Sequence, residues 1–258
     1  MHLEKFYADV VTNDGDGCIG YAVRGGGLGL GATLAASLRW AADSVAPVVQ
    51  QRTTRGTLPA TTANGIAWSC PALGIDGRWS PDFKIPTASL IWREGRGTLQ
   101  WQVLAPSAAV TLRLKGETLA GRGYAERLTL DFSPLRLPID VLRWGRFVSP
   151  AQSAVWIEWA HETTRRWVWH NGSEVAATSL DETGVAWPGH RVEFAAGRPL
   201  RTGRLIETLL SRWPQARRAL PGWLAEFDEQ KWCAPATLRG PGDATDRGWA
   251  IFERVRLR

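Results

Sequence analysis

Apolar and polar residues alternate singly along much of this chain. Over 98–103, Leu99, Trp101 and Val103 fall on one side and Gln100 and Gln102 on the other. Over 109–114, Val110, Leu112 and Leu114 oppose Thr111 and Arg113. A period of two over such lengths predicts half-buried strands. The runs are separated by Asp14-Gly15, Asp16-Gly17, Asn64-Gly65, Asp76-Gly77 and Asn171-Gly172. These pairs tolerate positive φ and predict the tight turns of antiparallel hairpins. The clearest hairpin joins 154–160 to 165–170 through His161-Glu162-Thr163-Thr164, and Asn171-Gly172 turns the chain again into 173–178. On its first strand Trp156 and Glu158 alternate with Ile157 and Trp159; on its second, Trp167 and Trp169 alternate with Val168 and His170.

Helical periodicity is scarce. Residues 37–45 fit a turn or two of helix. In 202–213, Leu205, Leu209 and Trp213 recur at four-residue spacing, with Thr202 as a cap and Pro214 as a stop. Pro221-Gly222 opens a second short amphipathic stretch over 223–231. No repeat of fixed period stands out. A shift within 114–123, from Gly and Thr towards Trp and Arg, predicts two β domains, 1–116 and 117–258.

Composition sharpens this picture. The 258 residues include 15 Trp against 7 Phe and 3 Tyr. Tryptophan joins a large apolar face to a single N–H donor and suits strand surfaces and cavity walls. The net charge of +6 comes from arginine, lysine being confined to Lys5, Lys84, Lys115 and Lys231. That charge permits peripheral contact with an anionic membrane. The arginines are not interleaved with aromatics in a base-stacking pattern, so no nucleic-acid partner is expected. Cys18, Cys70 and Cys233 are odd in number and far apart, which argues against a disulfide framework or a zinc site. The first eleven residues lack the apolar core of a signal peptide, and no run is long enough to cross a bilayer, so a cytoplasmic protein is expected. His2, His161, His170 and His190 show no ligand spacing, and no metal is expected. Gly25–Gly31 lacks the lysine of a phosphate loop and reads as a flexible loop, and no nucleophile elbow occurs. No cofactor is therefore expected.

The segment Gly121-Arg122-Gly123-Tyr124-Ala125-Glu126, followed by Leu142-Arg143-Trp144-Gly145-Arg146-Phe147, resembles the central stretch of the carotenoid 1,2-hydratase (hydroxyneurosporene synthase) family and its AttH-like relatives. Gly248-Trp249-Ala250-Ile251-Phe252-Glu253 is similar to that family's closing strand. The resemblance covers the last half of the chain. It implies an all-β fold of two lipocalin-like antiparallel barrels or half-barrels, with a few short helices, around an elongated apolar ligand. Hydratases and cyclases share the fold, so it does not fix a reaction. Where the hydratases carry an Asp and an Asn after the Gly-Tyr pair, this chain has Ala125-Glu126-Arg127-Leu128, leaving Glu126 as the acid.

Protonating an alkene needs a carboxylic acid in apolar surroundings and aromatic faces to stabilise the cation that follows. Glu126 is the first candidate for that acid; its competing reading is an ion pair with Arg143 or Arg146. Glu158 and His161 form a second acid–base candidate at the end of a Trp-rich strand. Tyr124, Trp144, Arg146, Trp156, Trp159 and Trp169 are the candidate ligand-binding residues, Trp144 and Phe147 being equally consistent with core positions. Two functions follow: a cofactor-free hydratase, isomerase or cyclase of a terpenoid, polyene or polyketide, or a non-catalytic carrier of an apolar molecule. An enzyme needs a carboxyl or histidine in a solvent-shielded cavity, whereas a carrier needs only apolar walls and a polar mouth.

Overall fold

The computed structural model describes residues 2–25, 32–44, 46–55, 58–82, 89–133, 136–204 and 227–257. The chain forms two compact units, Met1–Arg136 and Leu137–Arg258. The composition shift near residue 116 falls at a turn inside the first unit, where Lys115 and Gly116 take φ values of 51° and 92°.

The first unit is one antiparallel sheet of ten strands: β1 Leu3–Val11, β2 Gly17–Gly25, β3 Ala32–Trp40, β4 Val48–Arg55, β5 Ala60–Thr62, β6 Gly65–Cys70, β7 Ile75–Pro81, β8 Ser89–Glu94, β9 Gly97–Leu114 and β10 Glu117–Leu130. Their order is β4-β3-β2-β1-β10-β9-β7-β6-β5, with β8 also paired to β9. The alternating runs 98–103 and 109–114 are two parts of the single long strand β9. One sheet face carries the core: Phe6, Ala8 and Val10 of β1 meet Cys18, Ala22, Trp68, Trp79 and Leu112. Burial there pushes the Cys18 thiol up to about 12.

The second unit has β11 Val141–Val148, β12 Ser153–Ala160, β13 Thr164–His170, β14 Ser173–Val175, β15 Ser179–Leu180, β16 Gly184–Trp187, β17 His190–Phe194, β18 Arg198–Arg204, β19 Asp228–Arg239 and β20 Thr245–Arg256. Their order is β14-β13-β12-β11-β20-β19-β17-β16-β15, with β18 paired to β19. Each strand sits where its counterpart ten numbers lower sits in the first unit. The register repeats too: Tyr7 pairs with Glu126 on β1 and β10, and Trp144 pairs with Glu253 on β11 and β20. Gly121 and Gly248 are also equivalent, since a Cβ on either would lie 2.2 Å from a carbonyl oxygen, of Val11 or Val148 respectively. The second core gathers Phe147, Trp156, Val168, Val185, Val192 and Leu238.

The all-β, lipocalin-like architecture expected from the sequence is the one observed. Helix among the described residues is limited to 3₁₀ turns, at Pro71–Leu73, at Arg136 and at Pro241–Asp243. Several local expectations are corrected. The helix expected over 37–45 begins inside β3, where pairing to β2 and β4 outweighs local propensity. Thr202 belongs to β18 rather than capping a helix, and 228–231 opens β19. The rest of the two C-terminal helices, 205–226, lies outside the described residues, as do 26–31 of the glycine run. Asp76-Gly77 is not a turn but lies within β7. Its glycine is needed for packing, because a Cβ would meet the Trp79 ring at 2.7 Å and Leu112 at 2.8 Å. Asn64-Gly65 and Asn171-Gly172 do join hairpins, between β5 and β6 and between β13 and β14.

Candidate functional site

In the first unit, the face of β1 opposite the core carries Tyr7 and Asp9, both fully buried. Tyr7 lies between Tyr21 on β2 and Glu126 on β10, and Asp9 lies opposite Tyr124 one step along. The Glu126 carboxyl group is buried and accepts two hydrogen bonds on Oε2, from the Tyr124 hydroxyl and from Trp101 Nε1, both at 2.7 Å. Tyr7 packs edge-on against Tyr21 at 5.4 Å and Tyr124 at 6.0 Å. Asp9 and Glu126 are thus diagonal neighbours on one sheet face, positions whose side chains start roughly 7–8 Å apart. Two buried carboxyls thus lie on one sheet face, bordered by phenol and indole rings.

The corresponding face of the second unit carries Trp144, Arg146, Trp159 and Trp169, all buried. Arg146 donates from Nη1 to the Trp249 carbonyl at 2.6 Å, and Trp159 packs edge-on against Trp167 at 5.1 Å. Beside them runs a buried charge network. Arg201 donates to Glu229 at 3.0 Å, and Lys231 bridges Glu229, at 3.5 Å, and Glu253. The Lys231 ammonium also sits 5.5 Å from the centre of the Trp144 ring. Removing one member of such a network strands a charge at a cost of about 3–5 kcal/mol, so these groups hold the sheet as well as lining its face.

The other face of that sheet forms a cavity of about 340 Å³. Two transverse rows of side chains cross that sheet face, and Arg143, Arg254, Gln230, Trp156, Phe252 and Trp232 of these rows line the cavity. The upper row is polar: Arg166, Glu158, Arg143, Arg254 and Gln230 lie directly across β13, β12, β11, β20 and β19. The lower row is apolar: Val168, Trp156, Gly145, Phe252 and Trp232. Phe194 of β17 inserts between two of these rings, giving a near-parallel stack Trp156–Phe194–Phe252–Trp232 with centroid spacings of 5.5, 4.5 and 5.4 Å. Gly145 makes the stack possible, because a Cβ there would lie 2.3 Å from the Trp156 ring.

The acids of the polar row and of the cavity wall are engaged. Glu158 accepts from Arg143 Nη1 and, at 2.6 Å, from Arg166 Nε. Glu182 accepts from Arg254 at 2.9 Å. The Thr183 hydroxyl, and behind it the Thr183 and Gly184 amides and Arg191, hold the Asp181 carboxyl below its ordinary range. His161 lies in the turn after β12, with its Nδ1 2.8 Å from Asp140 Oδ2. The structure thus brings Glu126 and Tyr124 together on one face, and Trp144, Arg146, Trp159 and Trp169 on another. Trp156 lines the cavity, Glu158 pairs with arginines above it, and His161 pairs with Asp140.

Asp9 escaped the sequence reading, although an acid at an inward-alternating position of an otherwise apolar strand was its signal. Phe194, Trp232 and Phe252 escaped it because their strands are joined only by register.

Comparison with solved structures places this architecture. Kievitone hydratase from Nectria haematococca superposes with a TM-score of 0.50 at 12% identity, covering 98% of this chain and 88% of that one. A protein described as a putative AttH from Nitrosomonas europaea gives a TM-score of 0.56 at 9% identity, covering 97% and 91%. The chain shares their fold. CghA in complex with Sch210972 matches similarly, with a TM-score of 0.50, 10% identity and coverage of 99% and 88%. No protein-family model matches the chain, and no curated protein matches it in sequence. At these identities the likeness establishes the double ten-stranded fold and nothing finer. Among the described residues no helix is long and apolar enough to cross a membrane. Nor do they contain a group of three or more His, Cys, Asp or Glu arranged to hold a metal ion.

Proposed function

We propose that the protein is a cofactor-independent hydratase, isomerase or cyclase acting on an apolar, unsaturated small molecule, with Glu126 as the proton donor. The observation that carries this reading is the buried Glu126 carboxyl, bonded to Tyr124 and Trp101 and diagonal to the buried Asp9. Protonated Glu126 adds its proton to one alkene carbon, and the electron pair of the double bond forms the new C–H bond. The neighbouring cationic carbon is stabilised by the electron-rich faces of Tyr7, Tyr21 and Trp101. Asp9 then takes a proton, either from a water that adds to the cation or from an adjacent carbon to form a shifted double bond. Hydration and isomerisation share this machinery and differ in whether water reaches the cation; a cyclase would instead let a second double bond of the substrate attack it.

The fold shared with kievitone hydratase supports the general class, and the resemblance of the Glu126 segment to carotenoid hydratases supports a terpenoid, polyene or polyketide substrate. Three buried cysteines, none assigned to a disulfide, fit a reducing cytoplasm. The carrier reading is favoured by a separate observation: the cavity of the second unit has aromatic walls, and its lining acids Asp181 and Glu182 are already held by turn donors and by Arg254.

Native mass spectrometry, with extraction and identification of co-purifying small molecules, tests the two readings. The experiment compares the wild type with Glu126→Gln and Asp9→Asn. Conversion of a bound unsaturated compound by the wild type, with accumulation of the unchanged compound on both variants, supports acid–base catalysis. The same unaltered ligand on all three proteins overturns it in favour of a carrier.

A further inference from the structure

The cavity of the second unit takes its apolar lining from Trp156, Leu180, Phe194, Trp232 and Phe252. Phe194 stacks on both Trp156 and Phe252, and Phe252 stacks on Trp232 as well. With ring faces turned to one another, this wall asks for hydrocarbon bulk rather than for a particular ring or plane. Its volume of about 340 Å³ lies near the lower end of the roughly 300–1,000 Å³ usual for small-molecule pockets. The charged residues of the lining decide what else the ligand carries. Among the described lining residues these are Arg143, Asp181, Glu182, Glu253 and Arg254, and each faces an opposite charge within the protein. Arg143 pairs with Glu158, Arg254 with Glu182, and Glu253 with Lys231. Asp181 has Arg191 at 3.9 Å and also accepts from the Thr183 hydroxyl and amide. An ionised ligand moved from water into this lining loses hydration without gaining a counter-charge that is not already engaged.

We infer that this cavity is a binding site for an uncharged, mainly hydrocarbon molecule bearing a hydroxyl group, an aliphatic or alicyclic alcohol. A paired carboxylate keeps acceptor capacity, since its two oxygens offer about four sites. Gln230, whose Oε1 accepts from Arg254 at 2.7 Å, adds an uncharged amide to the same lining. A hydroxyl is donor and acceptor at once and suits that mixture, whereas a carboxylate or an ammonium does not. Phe194 is half-buried and lines the cavity, so its ring limits the room for the hydrocarbon part. The inference deepens the carrier reading, on which it rests for the use of this cavity, and is independent of Glu126.

Isothermal titration calorimetry of the intact protein tests the inference, with the straight-chain alcohols from 1-hexanol to 1-dodecanol and with decanoate and decylammonium at neutral pH. Affinity among the alcohols is expected to rise about 4-fold per methylene and to level off once the cavity is full. The alcohol 1-decanol is expected to bind about 10-fold or more tightly than either ion. Phe194→Ala, which enlarges the cavity, is expected to move the levelling-off to longer alcohols. Ala196→Trp, at an exposed lining position, is expected to fill the cavity and abolish binding. Decanoate or decylammonium binding as tightly as 1-decanol overturns the uncharged class and leaves the carrier reading standing. Binding of none of the probes overturns both. Alcohol binding that survives Ala196→Trp, or a levelling-off that Phe194→Ala does not move, places the site elsewhere and overturns the assignment. Ala196→Trp alters only an exposed position and decides the matter should Phe194→Ala not fold.

Discussion

Glu126 and Asp9 illustrate how one residue's meaning depends on which sheet face it occupies. Both are buried, at 6% and 0% exposure, where apolar residues would pack at less cost. A general acid or base contributes about 10²–10⁴-fold to rate. Glu126→Gln and Asp9→Asn are therefore each expected to lower kcat by at least about 10²-fold, with far-UV circular dichroism unchanged, because each amide keeps the shape of the acid it replaces. Gly145 acts through absence. Adding a methyl 2.3 Å from the Trp156 ring and 2.8 Å from Phe252 Cβ overpacks the stack. Gly145→Ala should cost about 1–3 kcal/mol in urea unfolding and weaken apolar ligands in the cavity.

His170 provides a pH response at the same scale. Burial, and behind it the charge of His190, holds its pKa below the ordinary 6.5. Its ring packs 5.0 Å from Trp187 and 4.8 Å from His190, and Nε2 meets Gln152 at 2.7 Å. Between the folded value and 6.5 the unfolded chain binds more protons, so stability rises with pH across that window. The contribution is complete above about pH 7.5, declines as pH falls through 6.5 and levels off below the folded pKa. Denaturation midpoints measured from pH 5 to 8 should show this slope in the wild type and a flatter one in His170→Gln.

At the scale of the element, turn chemistry was legible wherever the sequence needed positive φ. Asn171 and Gly172 take φ of 48° and 79° between β13 and β14, as an Asn-Gly hairpin turn requires. Gly172→Ala should cost about 1 kcal/mol, read as a shift in the denaturation midpoint, since an alanine pays for the left-handed region. Asp76-Gly77 is a turn pair of the same kind with a different fate: inside β7, Asp76 pairs with Ser69 and Arg113 and Gly77 with Trp68 and Leu112, so cross-strand pairing keeps it extended. The helix expected over 37–45 overlaps β3 at 37–40 and gives way to strand there for a related reason. The alanines and leucines of β3 permit helix, and only pairing with β2 and β4 makes it a strand.

Across the whole molecule, the two units repeat one ten-strand topology with the same register at β1–β10 and β11–β20. That repeat is invisible as a sequence period because equivalent positions hold different chemistry: Tyr7 and Trp144 oppose Glu126 and Glu253, and Asp9 matches Arg146. In each unit the first strand pairs with the last, Leu3 with Leu130 and Val141 with Arg256. Contacts so distant along the chain must pay for loop closure before they return any stability, which slows folding. Refolding followed by tryptophan fluorescence in stopped flow should therefore occupy milliseconds to seconds or longer, rather than microseconds.

By itself the sequence determined what depends on near neighbours. Single alternation gave the all-β class, Asn-Gly pairs gave the hairpin turns they join, and the Gly-x-Gly-Tyr-Ala-Glu segment marked Glu126. These signals are local because side-chain period and turn φ are set within a few residues. Tertiary structure alone decided which strands are adjacent and in what register. That pairing set Asp9 diagonal to Glu126, brought Phe194 between Trp156 and Phe252, and joined Glu158 to two arginines. Because a shift of one residue in register moves every side chain to the opposite face, no property of a single strand could have fixed these neighbours.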